Sequence, residues 1–194
     1  LEEIADFATE HDLVVVADEV YENFVYGERH VSLASLNGMR ERTVTLHSFS
    51  KSFAMPGFRV GYASGPPALV RAMVKVHVFT SICAPTVSQL AALQALRETK
   101  AAAAMVREYD RRRRFLFRKI GEIPGVECRE PEGAFYLFPS IRKFRMGSER
   151  FAGLLLKKAR VAVVPGTEFG RNGEGFVRIS YAAPLKVLEQ AMGR

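Results

Sequence analysis

The chain has 194 residues, of which 48% are hydrophobic and 25% charged, and its formal net charge is +7. These fractions are ordinary for a globular domain. No apolar run reaches the roughly 18 residues that cross a bilayer, and the N-terminal segment is acidic and amphipathic. We therefore expect neither a transmembrane helix nor a signal peptide.

The cysteines and histidines show no metal-binding pattern. The two cysteines, Cys83 and Cys128, lie far apart, and the four histidines lack the i, i+4 spacing of helical metal ligands. We therefore expect no metal site. Two reduced thiols are typical of a cytoplasmic protein, and this is where we expect it.

Basic residues are concentrated in the segment REYDRRRRFLFRK, residues 107–119. One interpretation is a nucleic-acid patch, and the other is the solvated surface of a helix. Four consecutive arginines point around most of the circumference of a helix, so they do not form a flat basic face. No base-reading motif accompanies them, and we expect no nucleic-acid partner.

The first half of the chain alternates helical and strand patterns. The apolar run in DLVVVADEVY predicts a buried parallel strand that ends at Asp18, and RTVTLHSFS predicts another that ends near Ser48. The segment GFRVGYASG resembles a third strand. Predicted helices cover residues 1–11, 67–78 and 86–96. This alternation predicts an α/β fold with a mostly parallel sheet.

The second half has a different pattern. A long predicted helix over residues 101–123 is followed by four short strand patterns, namely GVECREPEG, AFYLFP, VAVVPG and GFVRISYA. Two further helices are predicted, at residues 149–160 and 185–192. We expect residues 1–100 to belong to a larger α/β domain and residues 101–194 to form a smaller α+β domain, joined by the long helix.

Lys51 lies in the segment SFSKSFAMPGFRVGY, directly after the second predicted strand. Charged side chains usually lie in solvent, so a surface loop is the simple interpretation. The alternative is a nucleophilic amine, because ligands bind beyond the carboxyl ends of strands in such sheets. Asp18, Tyr21 and Ser48 fall at or just after these ends, which favours the alternative. We expect Gly57 to let the chain turn after the lysine.

These residues match the needs of an aldehyde cofactor such as pyridoxal phosphate. That cofactor requires a lysine, a carboxylate for the pyridine nitrogen, a donor for the ring oxygen and a phosphate site. Asp18 can keep the nitrogen protonated, and Tyr21 can donate to the ring oxygen. Ser48 and Arg59 can bind the phosphate, and Ser50 is a weaker candidate.

The motifs DEVY and SFSKSFAMPGFRVGY resemble those of class I and II pyridoxal-phosphate aminotransferases of fold type I. APTVSQLAALQAL, EGAFYLFP, VAVVPGTEFG and GFVRISYA also resemble this family, so the resemblance covers essentially the whole chain. It implies that Lys51 forms the Schiff base with the cofactor and that the other residues have the roles given above. It further implies that Arg178 binds the α-carboxylate of the substrate.

The resemblance also implies an activity and an assembly. Members transfer an amino group from an amino acid to a 2-oxo acid, and they are usually homodimers. They carry roughly as many residues again before the point that matches Leu1, so the chain resembles the C-terminal half, with residues 1–100 from the large cofactor-binding domain. We expect this half to be inactive alone.

Three alternatives stay open. One is a pyridoxal-phosphate β-lyase that uses the same lysine for a different reaction. Another is a transcription regulator in which an aminotransferase-like domain follows a DNA-binding module. The third is a fragment that has no activity of its own.

Overall fold

In the computed structural model, which describes residues 1–194, the chain divides into two units, Leu1–Ala103 and Ala104–Arg194. The long helix α5 (Thr99–Gly121) begins near the end of the first unit and continues into the second. No helix combines the length and the apolar character needed to cross a membrane. The mixed α/β architecture predicted from the sequence is confirmed.

The first unit contains four helices and three strands before α5. In chain order they are α1 (Glu2–Glu10), β1 (Val15–Asp18), β2 (Thr43–Ser48), α2 (Phe49–Ser52), β3 (Gly61–Ser64), α3 (Pro67–Thr80) and α4 (Thr86–Ala95). The strand order in the sheet is β1-β2-β3. β1 and β2 are parallel, whereas β3 runs antiparallel to β2, which the sequence pattern did not indicate.

β1 is less buried than its apolar sequence predicts. It lies at one edge of the sheet, where Val16 is 65% exposed and Asp18 is also exposed, while Val15 and Ala17 are half-buried. The prediction of a buried strand is therefore wrong for one face of β1. The reason is that no element of this chain packs over that face.

Two small clusters of buried side chains stabilise the first unit. Ala5 and Ala8 of α1 pack with Leu33 and Met39 from the connection between β1 and β2. The second cluster surrounds α2 and consists of Phe49, Met55, Val60 and Ala92. This second cluster fixes the segment that carries Lys51, because Phe49 and Met55 lie on either side of it.

The second unit continues α5 and contains three short strands and two more helices. They are β4 (Tyr136–Leu137), α6 (Ser148–Ala159), β5 (Val164–Pro165), β6 (Val177–Ser180) and α7 (Leu185–Met192). β6 is central and pairs antiparallel with both β4 and β5. The predicted strand GVECREPEG is wrong, because this segment forms only isolated bridges, at Glu127, which pairs with Ser140, and at Gly133.

The four consecutive arginines of α5 point in different directions. The Arg113 side chain is buried and binds Asp110 and Glu130, whereas the Arg114 side chain is 71% exposed. Arg112 donates to Glu108 and to the carbonyl of Ala182. Neighbouring acids therefore neutralise much of this charge, as expected for a solvated helix and not for a flat basic face.

Candidate active site

Most of the predicted site residues lie at one end of the first unit's sheet. β1 and β2 are parallel, with Asp18 opposite Leu46, so both strands terminate at this end. β3 is antiparallel to β2, with Gly61 opposite Ser48, so β3 begins at the same end. Arg59, which lies just before β3, is therefore at the end of the sheet where the other residues lie.

Lys51 lies in α2, a single helical turn that directly follows β2. Its neighbours Phe49 and Ser52 are buried, and they anchor the turn while the Lys51 side chain remains half-buried. The Nζ atom of Lys51 lies 5.8 Å from the centroid of the Tyr21 ring. A cation at this distance is attracted by the face of the ring. The structure thus brings together two predicted site residues from separate segments.

Tyr21 lies in the turn that follows β1. Its backbone carbonyl accepts the N–H of Phe24 at 2.8 Å. The Phe24 side chain is only 1% exposed and meets the Tyr21 ring edge-on, with centroids 6.5 Å apart. The buried phenylalanine therefore fixes the turn that carries the tyrosine.

Asp18 occupies the end of β1, as the sequence predicts, and its side chain is exposed. One carboxylate oxygen, Oδ1, accepts the backbone N–H of Val20 at 3.3 Å. This local bond is typical of aspartate at the start of a turn. The bond holds the carboxylate at the end of β1, and the second oxygen can still accept a hydrogen bond.

The two serines beside Lys51 have different local roles. Ser48 is the N-cap of α2, and its Oγ atom accepts the backbone N–H of Ser50 at 3.1 Å. A capping hydroxyl accepts with its lone pair, so its own proton remains able to bind an anion. Ser50 is half-buried, and its backbone, not its side chain, makes this bond.

Arg59 follows the short 3-10 turn over Pro56–Phe58 and is exposed. Its Nη1 atom donates to the carbonyl of Pro56 at 2.9 Å. The prediction that Gly57 allows the chain to turn here is wrong. The left-handed backbone conformations belong to Ala54 and Arg59, each with φ of 51°, and a Cβ on Gly57 would meet nothing within 4 Å.

Arg178 lies on β6 in the second unit and is half-buried. Its guanidinium carbon is 4.4 Å from the centroid of the Tyr136 ring and 4.5 Å from that of Phe169. No acidic side chain of the chain forms an ion pair with it. Aromatic faces thus take the place of the carboxylate that would neutralise a structural arginine.

Sequence reasoning missed the buried carboxylate of Glu19, which joins the end of β1 to residues 30–33. Glu19 is 8% exposed and accepts hydrogen bonds from His30, from the Ser32 hydroxyl and from the backbone N–H of Leu33. Burial raises the pKa of Glu19, but these three hydrogen bonds outweigh it, and the pKa lies below its ordinary value. The only sequence signal was an acid directly after Asp18.

The comparisons of this chain with known proteins all indicate the same family. The family described as "Aminotransferase class I and II" matches residues 1–194. An aspartate aminotransferase of Pyrococcus abyssi is 50% identical over 198 residues, covering 100% of this chain and 51% of that protein. Aromatic-amino-acid aminotransferase 2 of Thermococcus litoralis is 48% identical, with the same coverage of both chains.

Solved structures agree with these relatives. An aromatic aminotransferase from Pyrococcus horikoshii superposes with a TM-score of 0.95 at 50% identity, over 99% of this chain and 52% of that one. An aspartate aminotransferase from Thermus thermophilus, solved with maleate, gives 0.88 at 37% identity, over 97% and 49%. The chain therefore spans about half the length of the relatives that it matches.

Proposed function

Because the chain belongs to the class I and II aminotransferases, we propose that the complete protein transfers an amino group from an amino acid to a 2-oxo acid, with pyridoxal phosphate bound at Lys51. The observation that carries this proposal is the position of the Lys51 amine beside the Tyr21 ring. Both residues lie at the end of the sheet where two parallel strands terminate, together with Asp18, Ser48 and Arg59.

The residues at this end of the sheet supply the functional groups that the cofactor needs. Lys51 supplies the amine, and the Asp18 carboxylate suits a protonated ring nitrogen. Tyr21 supplies a phenol that can donate to the ring oxygen. Ser48, at the N-terminus of a helical turn, and Arg59 supply the hydroxyl and guanidinium that suit a phosphate. Ser50 is a weaker candidate for the same group.

When bound, pyridoxal phosphate supplies an aldehyde that captures amines and a ring that withdraws electrons. The protein's own residues do the rest. The Lys51 amine, released when a substrate amine replaces it, would remove the proton from the substrate α-carbon at Nζ and would then deliver it to the carbon that was the cofactor aldehyde. The Asp18 carboxylate stabilises positive charge at the ring nitrogen, which lowers the cost of removing that proton.

We further propose that Arg178 binds the α-carboxylate that all amino acid and 2-oxo acid substrates share. A guanidinium can donate two parallel hydrogen bonds to a carboxylate in one plane. The aromatic rings that cover Arg178 exclude water from its faces and leave its N–H groups for such a ligand. In this proposal residues 1–100 supply part of the large cofactor-binding domain, and residues 101–194 form the small domain.

The names of the relatives suggest the substrate class. Relatives that match the whole chain are called aspartate aminotransferase or aromatic-amino-acid aminotransferase, so we propose that the donor is a dicarboxylic or an aromatic amino acid. We also propose that the complete protein is a homodimer in the cytoplasm.

The test is an assay of amino-group transfer by the complete protein. The protein is incubated with pyridoxal phosphate, 2-oxoglutarate and one donor at a time, among them aspartate, tyrosine and phenylalanine. The proposal predicts glutamate and the matching 2-oxo acid in equal amounts. Release of ammonia and pyruvate from a cysteine conjugate, without glutamate, would instead indicate a β-lyase.

A further inference from the structure

The guanidinium of Arg178 lies between two aromatic rings, Tyr136 and Phe169, at 4.4 Å and 4.5 Å from their centroids. We propose that Phe169 is a positioning residue, which holds this guanidinium in the orientation that receives a substrate carboxylate. The inference rests on the proposed function of Arg178 and adds the residues that make that function possible.

Packing in the core does not account for the position of Phe169. Its side chain is 47% exposed, whereas the central hydrophobic residues of the second unit, such as Leu137 and Ile141, are 0% exposed. A ring that stays half exposed gains less from burial than a core side chain does. Besides its edge-on contact with Phe138, Phe169 meets a guanidinium that has no acidic partner, and a ring face attracts such a cation.

The two rings restrict how Arg178 can use its donors. The guanidinium is planar, and all five N–H groups lie in its plane. Rings that cover the faces leave the edges of the plane for hydrogen bonds. A carboxylate, which is also planar, can accept two of these bonds at once. The clamp therefore favours a bidentate carboxylate and reduces the rotational freedom that the arginine would lose on binding.

Phe169 is itself held by a tight backbone contact. It ends the 3-10 turn Gly166–Phe169, and Gly166 donates its N–H to the carbonyl of Phe176 at 2.9 Å. A Cβ on Gly166 would lie 2.0 Å from the carbonyl oxygen of Gly173, so only glycine fits at this approach. The turn is thus locked against the chain that leads into β6.

Neighbouring rings complete the support. Phe138 meets Phe169 edge-on at 5.7 Å and stacks on Phe176 at 5.2 Å. The second ring, Tyr136 of β4, lies opposite Ser180 of β6 in the strand register. Both halves of the clamp are therefore fixed by elements that contact β6, the strand that carries the arginine.

The experiment compares Phe169→Leu, Phe169→Tyr and the control Phe144→Leu in the complete protein. Phe144 is 40% exposed, similar to Phe169, and it stacks on Phe151, away from Arg178. Two quantities are measured for each variant. The first is kcat/KM for an amino acid relative to the amine that lacks its carboxyl group. The second is the Kd of maleate, a dicarboxylate that cannot be transaminated.

We expect Phe169→Leu to lower the ratio and to weaken maleate binding by about three- to tenfold, the range for a cation–aromatic contact. Phe169→Tyr should restore both values, and Phe144→Leu should leave them unchanged. Equal effects of Phe169→Leu and Phe144→Leu, or equal losses for amino acid and amine, would overturn the positioning role.

The maleate measurement separates this inference from the proposed function. A wild-type protein that transfers no amino group but binds maleate in a Phe169-dependent way would contradict only the function. A wild-type protein that is active, with a Phe169→Leu variant that behaves like the control, would contradict only the clamp. A wild-type protein that is inactive and binds no maleate would overturn both.

Discussion

The amine of Lys51 faces the ring of Tyr21 across 5.8 Å. The two residues follow neighbouring parallel strands, and each is fixed by its own local contacts. Ser48 caps the turn that carries Lys51, and buried Phe24 fixes the turn that carries Tyr21. Asp18 and Arg59 are exposed and Lys51 is half-buried, so substitutions of these residues should affect chemistry more than folding.

We predict that Asp18→Asn slows proton removal from the substrate by about a hundredfold or more, because a neutral amide does not stabilise positive charge at the ring nitrogen. Cofactor affinity should change much less, since the phosphate contacts remain. Single-turnover absorbance changes at saturating cofactor measure the step. Asp6→Asn, which changes an exposed acid on α1, is the control. A normal rate in Asp18→Asn would mean that Asp18 only stabilises the turn to Val20.

Arg178→Ala should raise the KM of every amino acid substrate by roughly ten- to a hundredfold, the loss expected for hydrogen bonds to a charged group. Simple amines should be affected much less, because they never used the guanidinium. Arg178→Lys keeps the charge but not the planar pair of donors, so it should recover only part of the loss. Steady-state kinetics with matched acid and amine pairs decide the point, and equal losses for both would indicate a structural arginine.

Glu19 should make stability depend on pH. Its pKa is lowered in the folded chain, so the ionised carboxylate stabilises the fold above its ordinary pKa of 4.5. This stabilisation is lost as the pH falls through the lower folded value. Glu19→Gln should reduce the free energy of unfolding at pH 7 by about 1–3 kcal/mol, and it should flatten the decline in stability below pH 4.5.

Urea unfolding between pH 7 and pH 3 measures this prediction. Glu28→Gln, which changes an exposed acid in the same connection, is the matched control and should leave the pH dependence unchanged. An unaltered pH dependence in Glu19→Gln would show that the bonds from His30, Ser32 and Leu33 do not depend on the charge of the carboxylate.

We predict that the polypeptide of residues 1–194 is inactive as a transaminase, binds pyridoxal phosphate weakly and self-associates. Val16 on the edge strand is 65% exposed, and Phe79 on α3 is 91% exposed. An unpaired strand edge beside exposed apolar side chains favours association. Light scattering over a range of concentrations measures the mass, and Val16→Thr should reduce the association. A stable monomer that produces glutamate steadily would contradict this prediction.

The helices were predictable where the sequence marks their ends or their buried face. The helices at residues 67–80, 86–95 and 148–159 lie within two residues of the predicted bounds, because prolines precede or begin the first two and the third has an amphipathic pattern. The antiparallel direction of β3 was not predictable, since strand direction depends on the path of the connection and not on the residues of the strand. The prediction that the turn depends on Gly57 was wrong because the left-handed conformations occur at Ala54 and Arg59.

The candidate site was predictable in part for a related reason. Asp18, Ser48 and Lys51 lie at strand ends, which the sequence locates directly. Phe169 and Glu19 could not be assigned, because their partners lie 9 to 31 positions away in the sequence, as Arg178, Phe138 and Ser32 show. Contacts of this kind follow from tertiary structure, and no local pattern encodes them.

The most direct test of the account identifies the lysine that binds the cofactor. The complete protein is incubated with pyridoxal phosphate, reduced with borohydride and digested, and the modified peptide is sequenced by mass spectrometry. We predict one modified lysine, Lys51, and loss of both the label and the visible absorption in Lys51→Ala, while Lys75→Ala on α3 leaves both unchanged. Stoichiometric label on any other lysine, with Lys51 unmodified, would contradict the central claim.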